Sequence, residues 1–314
     1  MTLLRFRKTE RVTAQVGTPQ AGIFALGTSS HAYLELDLRD GVDPRELVAG
    51  LADLREPRTT IGGINLVVGV RPEIWRDRLG APTPAGLHGF DQPIVGRDGF
   101  VMPATQHDAL LWLAGATYDV VFDEARGAIA ALAPGARVAS ETSSWPYRHD
   151  RDLTGFIDGT ENPSLARAAE VALVPPDAPG AGGSVLLLQR WAHDVEAWEA
   201  LAANAQEAAI GRTKDASIEL EDKPESSHVA RTDQDAFGHI FRRNMPYGTV
   251  TAHGTMFVGF AADQGPLARM LDSMAGVSGP RDELTRYTNP ETGGYYFVPA
   301  VTALRAFATD TDAG

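Results

Sequence analysis

The chain contains no cysteine among its 314 residues. This absence excludes disulfide bonds, iron–sulfur clusters, cysteine-rich zinc sites and thiolate ligation of a metal. A metal bound by this protein must therefore be held by histidine, carboxylate or other oxygen donors.

Positive charge and long apolar runs are also scarce. The chain has 28 Lys and Arg against 41 Asp and Glu, which gives a net charge of −13. This acidity argues against nucleic acid or an anionic membrane as a partner. We expect no membrane-spanning segment, because no apolar run is long enough. The basic start, residues 1–8, lacks the apolar run of a secretion signal, so we predict a cytoplasmic protein.

Apolar residues early in the chain follow the period of a strand and then of a helix. Leu34, Leu36 and Leu38 alternate with charged residues, which predicts a half-buried strand. Asp43 followed by Pro44 is a typical helix start. The same reasoning predicts strands at 64–70, 108–113, 137–143, 184–191, 239–243, 255–261 and 295–299, and helices at 117–132, 195–210 and 266–274.

This order is β-α-β-β-α-β in each half of the chain, the ferredoxin-like arrangement. We divide the chain into halves at 1–145 and 146–314, and the second half carries a polar insertion at about 211–238. Two antiparallel sheets packed face to face, with helices outside, predict an α+β fold of the dimeric α+β barrel type. A long polar insertion within a regular repeat is a frequent place for a binding site.

The loop at 153–163 has the sequence LTGFIDGTENP, which combines acidic residues with turn-forming ones. Phe156 and Ile157 are expected to be buried, and the glycines allow the backbone to approach a flat or charged group closely. Asp158 is either a cap of this turn or a group that handles protons. The loop alone would favour the cap.

Two later segments accompany this loop: SSHVAR at 226–231 and FRRNMPYG at 241–248. Together the three resemble the dye-decolorizing peroxidase family, haem enzymes that reduce hydrogen peroxide. The resemblance covers nearly the whole chain and is strongest to the bacterial B-type subgroup. It implies one haem b per chain and the oxidation of phenolic, dye-like or other small reductants through a ferryl intermediate. It also implies a homo-oligomer.

The resemblance gives four residues a role. His228 would be the axial ligand of the haem iron, a place that suits a neutral imidazole. Asp158 would carry a proton from one peroxide oxygen to the other. Arg242, rather than its neighbour Arg243, would stabilise the charge on the departing oxygen, and Asn244 would position peroxide.

Residue context alone also favours His228, because it lies in the polar insertion rather than in a packed element. Its competitors are the other histidines of the chain: His31, His88, His107, His149, His193, His239 and His253.

Further residues are predicted to hold the cofactor. By resemblance Arg212 would bind the haem propionates, with Thr160 as a second candidate and Lys214 as a weaker one. We expect Phe257 and Phe260 to line a hydrophobic wall, although core packing explains them equally well.

The second ring nitrogen of an iron-bound histidine usually donates to a carboxylate. Asp282 is our candidate for this partner, and a helix N-cap is the competing explanation. Glu161 lies beside the distal loop, but one carboxylate is too few for manganese, so we predict no manganese site.

Two other classes of function stay open at this stage. A haem-binding or haem-handling protein needs the same pocket but no distal acid–base set. A haem-free interaction domain is compatible with the scaffold, since such folds host many functions. The polar C-terminal tail has no apolar extension, so we do not expect packaging in an encapsulin shell.

Overall fold

The computed structural model describes residues 17–54, 63–148 and 150–309. Predictions made above for the basic segment 1–8, for His149 and for the tail at 310–314 lie outside these residues. Within the described ranges no helix is both long and apolar enough to cross a membrane.

The elements are as follows. The strands are β1 (Ser30–Leu38), β2 (Asn65–Val70), β3 (Ile94–Val95), β4 (Val101–Met102), β5 (Ala109–Gly115), β6 (Ala136–Ser144), β7 (Ser184–His193), β8 (Phe241–Arg242), β9 (Met245–Gly248), β10 (His253–Ala261), β11 (Thr288–Pro290) and β12 (Gly294–Val298). The α-helices are α1 (Pro44–Asp53), α2 (Tyr118–Leu132), α3 (Leu165–Ala172), α4 (Val195–Glu199), α5 (Ala203–Ile210), α6 (His228–Arg231), α7 (Gln234–Phe237), α8 (Gly265–Ala275) and α9 (Val301–Arg305). A π-helical turn lies at Ile74–Arg78, and 3₁₀ turns lie at Ala21–Phe24, Arg97–Gly99 and Glu283–Arg286.

The predicted start of α1 is confirmed. Its N-cap, Asp43, accepts a hydrogen bond from the backbone N–H of Arg45 at 2.9 Å. The apolar face of the helix buries Leu47, Val48 and Leu51, as the spacing predicted.

The single helix predicted at 195–210 is wrong, because the chain breaks it into α4 and α5. The amide of Gln206 turns back and donates to the carbonyl of Trp198 at 2.8 Å. This bond satisfies a carbonyl that a continuous helix would have paired with backbone.

The main sheet is antiparallel and closes on itself. Its order is β11-β7-β12-β2-β5-β1-β6-β9-β10-β8, and β7 also pairs with β10. The two halves of the chain meet where Phe297 pairs with Val70 and where Ser144 pairs with Tyr247. The two sheets are therefore joined along their edges, and do not only face each other as predicted.

Closure of the sheet divides the apolar core in two. One cluster fills the inside of the ring and includes Tyr33, Trp112 and Phe260, while the other packs Leu34 and Leu36 against the helices. Strand β1 is thus buried on both faces, whereas its alternating sequence predicted one exposed face.

Candidate active site

A cavity of about 390 Å³ lies between the outer face of the β7–β10 pair, helix α8 and the loop that follows β6. This volume lies within the usual range for a small-molecule or cofactor site. Its apolar wall comes from strand and helix side chains: Leu187, Trp191, Phe257, Leu267, Met270, Leu271 and Met274. Its polar wall comes from the 152–163 loop, α6 and β8.

The predicted distal residues Asp158, Arg242 and Asn244 all line this cavity. The side-chain amide of Asn244 donates to Asp158 Oδ1 at 3.4 Å, and the backbone N–H of Gly159 donates to the same oxygen at 2.7 Å. The carboxylate is therefore oriented by two donors. Arg242 Nε is buried and has no hydrogen-bond partner among the described residues, so its guanidinium lacks a counter-charge at that atom.

Asn162 joins the distal loop to the arginine strand, a role that the sequence analysis missed. Its Nδ2 donates to the backbone carbonyl of Arg242 at 2.9 Å, and its Oδ1 accepts from the Arg242 N–H at 2.9 Å. The amide thus pairs with Arg242 as a neighbouring strand would. This contact ties the loop that carries Asp158 to the strand that carries Arg242.

His228 reaches the cavity from the first turn of α6, where Ser227 caps the helix. Its Nδ1 lies 2.7 Å from Asp282 Oδ2, and Asp282 is completely buried. A carboxylate only accepts, so Nδ1 carries the hydrogen and Nε2 keeps a free lone pair. Asp282 Oδ1 meanwhile accepts from the N–H of Leu284 at 2.9 Å, so both interpretations of Asp282 are correct.

Arg212 also lines the cavity, at the side where Glu161 and Glu219 accept hydrogen bonds from its Nη2. Its Nη1 donates to the carbonyl of Ser217 at 2.8 Å. Its Nε is buried and unpartnered among the described residues. The carboxylate of Glu161 is thus engaged with a cation at this edge of the cavity.

Only some of the other predicted haem-binding residues reach the cavity. Thr160 and Phe257 line the cavity, but Lys214 and Phe260 do not. Residues three apart on a strand face opposite sides, so Phe257 and Phe260 of β10 cannot share one wall. Phe260 instead stacks on Trp112 inside the ring, at 6.1 Å between ring centroids, and its assignment to the cofactor wall is wrong.

Comparison with known proteins shows the family of the chain. The family model described as Dyp-type peroxidase, C-terminal, matches residues 149–303. The dye-decolorizing peroxidase of Brevibacterium linens is 34% identical over 286 residues, which is 85% of this chain and 77% of the relative. That of Rhodococcus erythropolis is 36% identical over 259 residues, which is 79% and 75% of the two chains.

The chain belongs to the dye-decolorizing peroxidase family. It is a peroxidase of that type, as the sequence motifs predicted. Solved structures show the same fold. A putative dyp-type peroxidase of Shewanella oneidensis has a TM-score of 0.85 at 29% identity, over 94% of this chain and 100% of that one. A variant of DypB from Rhodococcus jostii RHA1 in complex with heme has a TM-score of 0.84 at 32% identity, over 93% and 99%.

Within this dye-decolorizing peroxidase, three of the described histidines line the cavity: His193, His228 and His239. Burial lowers the pKa of His193 to about 4, with the charge of His253 adding to it, and its Nε2 lies 3.1 Å from the hydroxyl of Thr255. Among the cavity histidines in the described chain, His228 alone is held by a buried carboxylate. That contact singles it out as the candidate metal ligand.

Asp152 is a further cavity carboxylate, and the sequence analysis overlooked it. Burial, together with the neighbouring charge of Asp158, raises its pKa to about 6. A perturbed carboxyl group in the cavity of a peroxidase is a candidate for proton handling. The signal in the sequence was weak, because an Asp two residues before a Thr is a common turn former.

Proposed function

We propose that this chain is a haem peroxidase that reduces hydrogen peroxide and oxidises phenolic, dye-like or other small reductants. One observation carries the proposal. The same cavity presents an imidazole oriented by the buried Asp282 and, elsewhere on its wall, the carboxylate of Asp158 and the guanidinium of Arg242, whose Nε has no partner among the described residues.

The residues of the cavity fit a haem. His228 offers a neutral Nε2 to iron, and the wall around Phe257 is apolar, as a porphyrin requires. The unpartnered Nε of Arg212 and the hydroxyl of Thr160 suit the propionates. We infer one haem b per chain, because a chain without cysteine has no thiol for covalent attachment.

When bound, the haem supplies a redox-active iron. The chain's own residues then move the proton and stabilise charge. Asp158 takes the proton from one oxygen of peroxide and returns it to the other, so that water can leave. Arg242 stabilises the negative charge that grows on the leaving oxygen. Asn244 holds the carboxylate of Asp158 in place through its 3.4 Å hydrogen bond.

A haem-handling protein without turnover is the weaker proposal. Storage or transfer of haem needs the contact between His228 and the iron, but it needs no acid–base pair. Asp158 and Arg242 would then have no function in the cavity. Yet both polar atoms of the Asn162 side chain bond to the backbone of Arg242.

The test is an optical titration of wild type, His228→Ala and His239→Ala with haemin, followed by one equivalent of peroxide. His239 also lines the cavity and serves as the matched control. We expect wild type and His239→Ala to give the same ferric Soret band, which peroxide shifts within a second, and His228→Ala to lose both. Equal spectra for all three would show that His228 is not the ligand. A Soret band that peroxide only bleaches would favour haem handling.

We also infer that the halves at 1–145 and 146–314 are ferredoxin-like units. In the first half the strand order is β6-β1-β5-β2. In the second half it is β12-β7-β10, and β9 and β8 both pair with the far edge of β10. Both halves place the first and third strands of the unit at its centre, as the ferredoxin-like arrangement requires. Self-association into a homo-oligomer, a cytoplasmic location and the exclusion from encapsulin shells stay predictions.

A further inference from the structure

Asp152 and Asp158 are held on one small hairpin. The backbone N–H of Asp152 donates to Phe156 O at 3.0 Å, and the N–H of Asp158 donates to Asp150 O at 2.7 Å. Arg151 pairs with Ile157 between these two bonds. Side chains alternate in a paired hairpin, so Asp152 and Asp158 lie diagonally on the same face. Both line the cavity.

The two oxygens of the Asp152 carboxylate have different surroundings. Oδ1 accepts from the backbone N–H of Thr154 at 2.9 Å and from its hydroxyl, which closes the turn. The hydrogen bonds of this carboxylate to described residues all go to Oδ1, which leaves Oδ2 without a partner there, and Asp152 lines the cavity. One oxygen therefore holds the loop, and the other is available to a water or a proton.

The charges around Asp152 make it a group that changes protonation in mildly acidic solution. Burial and the charge of Asp158, on the same hairpin, raise its pKa to about 6. The hydrogen bonds from Thr154 lower it, and so does His228 on α6 when its ring is protonated.

We propose that Asp152 is a proton relay that supplies Asp158 while the reductant restores the enzyme. The inference rests on the proposed function. Reduction of H₂O₂ to two waters consumes two electrons, which the reductant supplies, and two protons. Asp158 only moves a proton between the two peroxide oxygens, so these two protons enter the cavity as the reductant donates its electrons. Asp152 Oδ2–H gives its proton through a water to the carboxylate of Asp158, and Asp152 then takes a new proton from solvent.

The substitution Asp152→Asn separates the proposed proton transfer by Asp152 from its structural role in the turn. Asparagine keeps Oδ1 as the acceptor for Thr154, but its Nδ2 cannot exchange a proton in this way. Asp150→Asn is the matched control, because Asp150 belongs to the same hairpin but is exposed and does not line the cavity.

The first readout needs neither haem nor turnover. Carbon-13 NMR of haem-free protein labelled at the Asp carboxyl carbon should show one resonance titrating with a midpoint near about 6. We expect that resonance to vanish in Asp152→Asn and to persist in Asp150→Asn. If no carboxyl resonance of wild type titrates above its ordinary range, or if the same one survives in Asp152→Asn, the proposal is overturned.

The second readout is the pH profile of the haem-loaded enzyme. In Asp152→Asn we expect turnover at saturating peroxide and reductant to fall about tenfold or more between pH 4 and 6, in the range of general acid–base effects. The rate of the peroxide-induced Soret shift should stay within about twofold, because Asp158 and Arg242 are intact.

Profiles that coincide for Asp152→Asn, Asp150→Asn and wild type would overturn the relay. An equal loss of both rates at every pH would make Asp152 a structural residue. A wild type that does not respond to peroxide at all would instead refute the proposed function, whatever the NMR result.

Discussion

Asp282 shows how one side chain can serve both folding and chemistry. Its Oδ1 caps the 3₁₀ turn Glu283–Arg286 through the N–H of Leu284, and its Oδ2 accepts from His228. Because Asp282 is completely buried, its charge is exposed to little solvent screening. The carboxylate therefore orients the imidazole of His228 and makes it a stronger electron donor to a bound metal.

We expect Asp282→Asn to keep the fold but to weaken the metal centre. Asparagine retains the cap through Oδ1 but removes the negative partner of His228. Loss of such a partner usually costs roughly 10–100-fold in metal affinity or activity. Haemin affinity should fall by that factor, and the reduction potential of the bound iron should rise, because a less electron-rich imidazole stabilises ferric iron less.

Asp194→Asn is the matched control, since Asp194 caps α4 through the N–H of Ala197 and does not line the cavity. A potentiometric titration that gives the same potential for both variants and wild type would refute the role assigned to Asp282.

At the scale of elements, two adjacent arginines, Arg242 at the end of the short strand β8 and Arg243 directly after it, point to opposite sides of the sheet. Arg242 faces the cavity. Arg243 faces the inside of the ring, where its guanidinium lies 4.9 Å from the centre of the Trp112 ring and donates to the carbonyl of Ile23 at 2.9 Å. Burial lowers the pKa of Arg243 to about 10. The same residue type thus serves chemistry on one face and packing on the other.

This arrangement predicts opposite effects for two similar substitutions. Arg242→Leu should slow the peroxide-induced spectral change severely, by about 100-fold or more as for loss of a charge-stabilising donor, with little change in stability. Arg243→Leu should leave that rate nearly unchanged per folded molecule. It should lower the free energy of unfolding by roughly 1–3 kcal/mol, because carbonyls of the Ala21–Phe24 turn lose their donor.

Stopped-flow spectroscopy and urea unfolding of the same samples measure the two effects separately. Equal rates for both variants, after correction for the folded fraction, would contradict the assignment of Arg242.

The motifs of the site could be recognised in the sequence because each is a short local pattern. The contacts that join them could not be recognised, since Asn162 and Arg242 are far apart in the chain and only the fold brings them together. The error at Phe260 was avoidable, because strand parity already separates it from Phe257. The sequence suggested Asp282 as the partner of His228 but could not distinguish this role from a helix N-cap, because an Asp at this place is typical of both.

For the whole molecule, most elements followed from periodicity, but closure of the sheet did not. Alternation along β1 predicts that Glu35 faces solvent, as it would in an open sheet with one covered face. In the closed ring that face points inward, and Glu35 is 4% exposed. Its Oε1 accepts from the hydroxyl of Tyr296 at 2.7 Å. Closure therefore places a carboxyl group in a mainly apolar interior.

This burial predicts how stability depends on pH. Burial raises the pKa of Glu35, and the hydrogen bond from Tyr296 and the charge of His107 only partly oppose it. The folded chain then holds the proton more tightly than the unfolded chain. The resulting stabilisation is complete below the ordinary pKa of glutamate and is lost as the pH rises through the raised value.

Glu35→Gln removes the ionisation and keeps an acceptor for Tyr296. We expect the variant to match wild type near pH 4 and to exceed it at pH 8 by roughly 1–3 kcal/mol, the usual cost of an uncompensated buried polar group. Thermal unfolding across this pH range measures the difference. Glu141→Gln is the control, because Glu141 lies on the paired strand β6 and is exposed. A Glu35→Gln curve parallel to those of wild type and Glu141→Gln at every pH would mean that Glu35 is not held in its protonated form by the closed ring.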